Sequence, residues 1–198
     1  MATLLYIHGF LSSPQSEKAV QVKNWLSVHR PHIKFICPFL TPYPGDTRET
    51  LERLVDNAMM TSKANVYLMG SSLGGFWATW LVEKYNLNAV LINPAVKLSL
   101  FNQGYINTPL KNYHTDDIYE LTESDIDEFH RINIESISRT QNYFVMLQTG
   151  DDVLDYRLAE IKYAGCELLI EEGGDHSFSN FESKIEIALN FLESSREI

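Results

Sequence analysis

The chain has 198 residues, of which 44% are hydrophobic, and a formal net charge of -10 at neutral pH. This length suits a single domain over residues 1–198, which buries roughly 70% of its extended surface. The acidic balance without a lysine or arginine cluster argues against nucleic acid as a partner, and no apolar stretch approaches the ~20 residues that span a bilayer.

The N-terminal segment predicts a strand and not a targeting signal. Residues 3–8 are mostly apolar, with no basic region before them and no small-residue cleavage site after them. Without an export signal, we expect a reducing, cytoplasmic location. The two cysteines, Cys37 and Cys166, lie far apart in sequence and form neither a disulfide framework nor a metal-binding pattern.

Six short β-rich runs alternate with helical patterns along the chain. Most runs are continuously apolar, as in parallel strands that are buried on both faces. The alternation predicts an α/β fold with a compact, doubly wound parallel sheet of about six strands and right-handed crossovers. Functional loops then follow the carboxyl ends of the strands. The predicted strands are residues 3–8, 34–37, 65–70, 88–93, 142–149 and 166–171.

Helix boundaries follow from capping residues and apolar spacing. We expect the first helix to have Ser13 as its N-cap and Pro14 at its first position, and Asp46 to cap the second helix. A third helix is expected to follow Ser72. A last helix carries an apolar face over residues 181–192.

One segment interrupts the alternation. Residues 95–141 contain no strong strand, and residues 111–139 hold eight acidic side chains against three basic ones. The spacing of Ile126, Phe129 and Ile137 predicts at least one short amphipathic helix. Because segments of this length usually carry function, we interpret residues 95–141 as a cap insertion over the strand ends. A solvated insertion without substrate contact is the alternative.

The strongest motif is Gly70-Ser71-Ser72-Leu73-Gly74, which follows an apolar run and precedes a helical pattern. A G-x-S-x-G sequence between a strand and a helix is typical of a nucleophile elbow. The glycines on either side of Ser72 allow the strand and the helix to approach closely. The motif therefore predicts Ser72 as a nucleophile, and a simple glycine- and serine-rich turn is the alternative.

A serine nucleophile needs a base, and the base needs a carboxylate that orients it. His176 follows the last predicted strand in a glycine-rich loop and is the predicted base, whereas His8 closes the first strand and is expected to be structural. Asp151 ends the fifth strand and is the predicted acid. Asp152 is the off-register alternative, and Asn93, which follows the preceding strand, cannot serve as an acid.

An oxyanion needs backbone N–H donors close to the nucleophile. One expected donor is the N–H of Leu73, the residue after Ser72. The second is the N–H of Phe10 in the sequence His8-Gly9-Phe10, where glycine allows a close backbone approach.

Several segments together resemble the α/β-hydrolases, and specifically the YqiA-like esterases of bacteria. The resemblance implies the α/β-hydrolase fold and esterase activity on short acyl esters, with thioesterase activity on acyl-CoA as a second expectation. It implies a small-molecule ester or thioester as the partner and no metal or organic cofactor. The segments that carry it are Leu4-Leu5-Tyr6-Ile7-His8-Gly9-Phe10, Gly70-Ser71-Ser72-Leu73-Gly74-Gly75, Asn93-Pro94-Ala95-Val96, Gln148-Thr149-Gly150-Asp151 and Glu172-Gly173-Gly174 with His176.

Two other functions remain open at this point. One is a hydrolase of a different bond, such as a peptidase or a C–C hydrolase, which uses the same residues with a different pocket. The other is a catalytically silent binding module on the same fold. A binding module has no need of a strained serine turn with a base beside it, so the sequence favours an enzyme.

Overall fold

The computed structural model describes residues 2–61, 65–97 and 104–194. The described strands and helices alternate along most of the chain. The strands are β1 (Ala2–Ile7), β2 (Ile33–Ile36), β3 (Val66–Ser71), β4 (Asn88–Ile92), β5 (Leu110–Lys111), β6 (Ile118–Tyr119), β7 (Tyr143–Gln148) and β8 (Glu167–Glu171). The helices are α1 (Glu17–His29), α2 (Pro44–Thr61), α3 (Leu73–Tyr85), α4 (Glu123–Ile132), α5 (Tyr156–Lys162) and α6 (Ile185–Ser194).

Six strands form one parallel sheet in the order β2-β1-β3-β4-β7-β8. These are the six strands that the sequence predicts, and each begins and ends within one residue of the predicted position. The predicted doubly wound sheet is therefore confirmed. Its carboxyl edge brings together the loops that follow β1, β3, β4, β7 and β8.

Helices cover both faces of the sheet. Because side chains alternate along a strand, Leu4 and Tyr6 of β1 pack toward α1 and α6, whereas Leu5 and Ile7 pack toward α2 and α3. The central strands β3, β4 and β7 are buried along almost their whole length. Each leucine-sized side chain that is buried in these two cores stabilises the fold by roughly 1.5–3 kcal/mol. The cores thus hold the strand ends in fixed positions.

Two predicted helix caps are wrong. The first helix, α1, begins at Glu17, three residues later than predicted, because Ser13 instead starts a turn in which its carbonyl accepts a hydrogen bond from the N–H of Ser16 at 3.0 Å. The second helix, α2, begins at Pro44, so Asp46 lies in its first turn and does not cap it. An acidic residue in that turn still complements the helix dipole.

The segment 95–141 contains a short antiparallel pair, β5 and β6, and the helix α4. Thr122 caps α4 through a capping box with Asp125. Ile126 and Phe129 lie on the buried face of α4, as their spacing predicts. This helix packs against α2. Residues 98–103, which belong to the same segment, lie outside the described residues. No described helix combines the length with the apolar composition that a membrane span requires.

Candidate active site

Ser72 lies in the turn between β3 and α3 with φ 56° and ψ -121°. A non-glycine residue in this region is strained, at a cost of about 1–3 kcal/mol. The surrounding glycines permit the turn: a Cβ built on Gly70 would overlap the Gly74 carbonyl, and one on Gly74 would overlap the carbonyl of Ile7. The Ser72 N–H donates to the carbonyl of Ile92 at 3.0 Å, which ties the turn to β4.

Two hydrogen bonds connect Ser72, His176 and Asp151. His176 Nε2 lies 3.0 Å from Ser72 Oγ, and His176 Nδ1 lies 2.8 Å from Asp151 Oδ2. Because an ionised carboxylate only accepts hydrogen bonds, Nδ1 carries the proton and Nε2 accepts from the serine hydroxyl. The structure thus brings three of the predicted site residues together across 104 residues of sequence.

The Asp151 carboxylate is held in its ionised form. Its side chain is 1% exposed, and burial alone raises its pKa. Hydrogen bonds from His176 and from the N–H groups of Leu154 and Val153 outweigh burial and lower the pKa below its ordinary value. Asp151 is therefore charged near neutral pH and suited to orient an imidazole. The alternative acid, Asp152, is exposed to solvent.

The loops that carry Asp151 and His176 are joined directly. Beyond the paired ends of β7 and β8, the Thr149 N–H donates to the carbonyl of Glu171 at 2.9 Å and the Gly150 N–H donates to the carbonyl of Gly173 at 2.7 Å. The ladder between the two strands therefore continues into their loops. It places the acid and the base side by side.

Asn93, which cannot act as an acid, has a positioning role at the end of β4. Its side chain is buried, and its Oδ1 accepts from the N–H of Gln148 at 3.0 Å. Its Nδ2 donates to the carbonyls of Asp175 at 3.0 Å and of His176 at 3.3 Å. Asn93 therefore fixes the backbone of the histidine loop.

Gln148 holds the same loop from the end of β7. Its Oε1 accepts from the N–H groups of Asp175 at 3.1 Å and Ser179 at 2.8 Å, and its Nε2 donates to the Ser179 carbonyl at 2.9 Å. Gly174 has φ +73°, and a Cβ at that position would overlap the Gln148 side chain. The glycine-rich sequence before His176 is therefore required for this contact.

His8 is buried beside the site and links two loops. Its Nε2 accepts from the N–H of Leu40 at 3.1 Å, so its Nδ1 carries a proton and donates to the Gly9 carbonyl at 2.9 Å. Burial lowers the pKa of His8 below its ordinary value. The residue is neutral and structural, which matches the role expected from the sequence.

A cavity of about 410 Å³ opens onto Ser72 and His176. Phe10 and Leu73, the predicted oxyanion donors, both line it. A Cβ built on Gly9 would lie 3.5 Å from Ser72 Cβ, which places the loop after β1 directly against the serine. Within the described part of the chain, no group of three or more histidine, cysteine, aspartate or glutamate side chains is arranged to hold a metal ion.

Comparison with known proteins identifies a matching family and a matching fold. The model of an uncharacterised protein family, UPF0227, matches residues 3–193. A UPF0227 protein of Serratia proteamaculans is 25% identical over 186 residues, which cover 92% of this chain and 94% of that protein.

Two solved structures share the fold at low sequence identity. Est1E from Butyrivibrio proteoclasticus superposes with a TM-score of 0.77 at 15% identity, covering 98% of this chain and 88% of that one. Mouse alpha/beta hydrolase domain-containing protein 10 gives a TM-score of 0.71 at 16% identity, with coverages of 96% and 90%. The fold is therefore that of the α/β-hydrolases.

Proposed function

We propose that this chain, which belongs to the UPF0227 family, is a serine hydrolase that cleaves carboxylic esters with short acyl chains, or acyl thioesters, through an acyl-enzyme. The observation that carries the proposal is the pair of hydrogen bonds from Ser72 to His176 and from His176 to Asp151 at the mouth of the cavity. This is the arrangement that activates a serine hydroxyl.

In the first half of the reaction, Ser72 Oγ attacks the carbonyl carbon of the ester while His176 Nε2 takes the hydroxyl proton. Asp151 stabilises the resulting imidazolium through Nδ1–H. The tetrahedral intermediate collapses as the C–O or C–S bond to the leaving group breaks, and His176 returns the proton to that group. The acyl group remains on Ser72.

In the second half, water replaces the leaving group. His176 takes a proton from the water, whose oxygen attacks the acyl carbon, and returns that proton to Ser72 Oγ as the acid product leaves. In both halves, the N–H groups of Phe10 and Leu73 stabilise the oxyanion. Leu73 is the first residue of α3, so the dipole of that helix adds to the stabilisation.

We further propose that residues 95–141 act as a cap over the cavity. Tyr105 and Tyr113 line it, and the Tyr113 N–H donates to the carbonyl of Leu11 at 2.8 Å. Asn112 donates to the carbonyl of Ser12 at 3.0 Å. The segment is thus attached to the loop after β1, next to one proposed oxyanion donor. A cavity of this size, closed partly by tyrosines, suits small acyl groups.

The proposal is tested by labelling with a fluorophosphonate probe, which reacts with activated serines. We expect one adduct per chain, located on Ser72 by peptide mass spectrometry. Folded protein that takes up no probe would indicate a binding module instead. Comparing hydrolysis of p-nitrophenyl esters and acyl-CoA thioesters over a range of acyl lengths then defines the acyl group and the leaving group.

The role of Asn93 leads to a separate prediction. The Asn93→Asp variant keeps the acceptor for the N–H of Gln148 but directs a carboxylate oxygen at the carbonyls of Asp175 and His176. The histidine loop should shift, and we expect kcat/KM for an ester to fall by about 10²-fold, the scale of a 1 Å misplacement. Steady-state kinetics on the purified variant measure this effect.

Asn142→Asp is the matched control at the other end of the sheet. Asn142 Nδ2 donates to Asn86 Oδ1 at 3.1 Å and to the Leu87 carbonyl at 3.0 Å, so this variant also loses two donated hydrogen bonds. We expect a similar loss of unfolding free energy in urea but a nearly unchanged kcat/KM. An equal loss of activity in both variants would mean that Asn93 acts only through global stability.

A further inference from the structure

A lysine lies in the wall of the cavity close to the proposed reacting groups. Lys18, in the first turn of α1, lines the cavity with His176, and its Nζ donates to the carbonyl of Ser177 at 2.8 Å. Among the ion pairs of the described residues, none involves Lys18. Because an ammonium has three N–H donors, this contact leaves two for a ligand.

Two buried hydroxyl groups line the same cavity, and within the described ranges of the chain neither has a hydrogen-bond partner. The Tyr6 side chain is 1% exposed, and its hydroxyl has a polar contact with Ser71 but no hydrogen bond of normal geometry among the described residues. The Ser16 hydroxyl is also buried and unpaired, and although Ser16 is the N-cap of α1, its side chain does not cap the helix. Buried donors of this kind are normally satisfied, and neither finds a partner among the described residues, so both are open to a ligand in the cavity.

These groups share a preference for negative charge. An ammonium, hydroxyl donors and the N-terminus of a helix all stabilise an anion. We infer that Lys18, Tyr6 and Ser16 form a subsite for a carboxylate of the substrate, so that the preferred substrate is an ester that also carries a free carboxylate. This inference rests on the proposed ester hydrolysis, because it assigns the substrate class of the same cavity.

The charge balance around the subsite favours a carboxylate over a phosphate. Burial lowers the pKa of Lys18, and the carboxylates of Glu17, Asp175 and Asp151 oppose that shift. Because nearby carboxylates repel an anion in proportion to its charge, they disfavour a doubly charged ligand more than a singly charged one. A dianionic phosphate would leave one charge uncompensated in a protein whose net charge is -10.

The test compares two esters of similar shape. Monomethyl glutarate carries the carboxylate, and in methyl 5-methylhexanoate an isopropyl group replaces it. We expect kcat/KM, measured by methanol release, to favour monomethyl glutarate by about tenfold or more, the scale of a hydrogen bond to a charged group. The preference should disappear in Lys18→Met and decrease several-fold in Tyr6→Phe. Lys23→Met removes the same charge from an exposed position on α1, and this variant should keep the preference.

Two results would overturn the inference. One is an unmodified enzyme that hydrolyses both esters without preference. The other is an equal loss of both activities in Lys18→Met, which would mean that Lys18 only supports the histidine loop through the Ser177 carbonyl.

A binding measurement separates this inference from the proposed function. Calorimetry on the Ser72→Ala protein should detect monomethyl glutarate, and Ser72→Ala with Lys18→Met should not bind it. If the unmodified protein hydrolyses neither ester, this measurement still decides: binding that depends on Lys18 supports the subsite, and absent binding overturns it. Tighter binding of inorganic phosphate than of monomethyl glutarate would contradict the carboxylate assignment.

Discussion

Replacing Ser72 with alanine is expected to lower kcat for ester hydrolysis by on the order of 10⁶, because the members of a serine–histidine–aspartate group act as a unit. The variant removes Ser72 Oγ, the atom 3.0 Å from His176 Nε2. It keeps the backbone hydrogen bond from residue 72 to Ile92, so the turn should persist. Initial rates with a p-nitrophenyl ester measure the effect, and circular dichroism confirms that the variant is folded.

Ser71→Ala is the matched control for that result. Ser71 is the last residue of β3 and precedes the strained position, so its hydroxyl is not presented by the elbow. Only Ser72 has glycines two residues before and two residues after it. We therefore expect Ser71→Ala to retain most of the activity. A dead Ser71→Ala enzyme beside an active Ser72→Ala enzyme would show that the motif is assigned in the wrong register.

Replacing Asp151 with asparagine is expected to lower kcat by roughly 10⁴ while leaving the fold intact. The asparagine Oδ1 can still accept from the N–H groups of Val153 and Leu154. Its Nδ2, however, would donate to His176 Nδ1, which moves the imidazole proton to Nε2. A protonated Nε2 cannot accept the serine proton. Single-turnover kinetics at saturating substrate measure the chemical step directly.

Asp152→Asn supplies the comparison for the acid. Asp152 is exposed and makes no hydrogen bond to His176 in the described structure, so its replacement should change kcat by less than about twofold, as is usual for a surface substitution. Loss of activity in Asp152→Asn with retention in Asp151→Asn would reverse the assignment.

The sequence predicts the sheet well because most of its strands, including the central ones, are continuously apolar. Residues 66–71 and 143–148 are buried at every position, so their pattern leaves little ambiguity. The resemblance to YqiA-like α/β-hydrolases is confirmed by the UPF0227 family match together with the fold shared with the solved structures. The roles of Ser72, Asp151 and His176 stay predictions, although the three side chains lie within hydrogen-bond distance.

Other features depend on contacts that a linear pattern does not contain. Serine is a favoured N-cap residue, but Ser13 forms a local turn with Ser16 that competes with the helix, so the helix begins later in the sequence. One sequence feature indicates a role for Asn93: it lies directly after a buried strand, at the carboxyl edge of the sheet. Its two carbonyl partners, however, lie more than 80 residues away in sequence. Lys18 is one of 16 basic residues, and only the fold directs it into the cavity.

The strained backbone conformation at Ser72 supports activity but lowers the stability of the fold. Glycine adopts positive φ without the steric cost that a Cβ imposes, so the same fold would be more stable with glycine at this position. Retaining the hydroxyl therefore means retaining a less stable protein, and the surrounding core must supply the difference. Substitutions that weaken that core, far from the cavity, would reduce the amount of active protein without touching any reacting group.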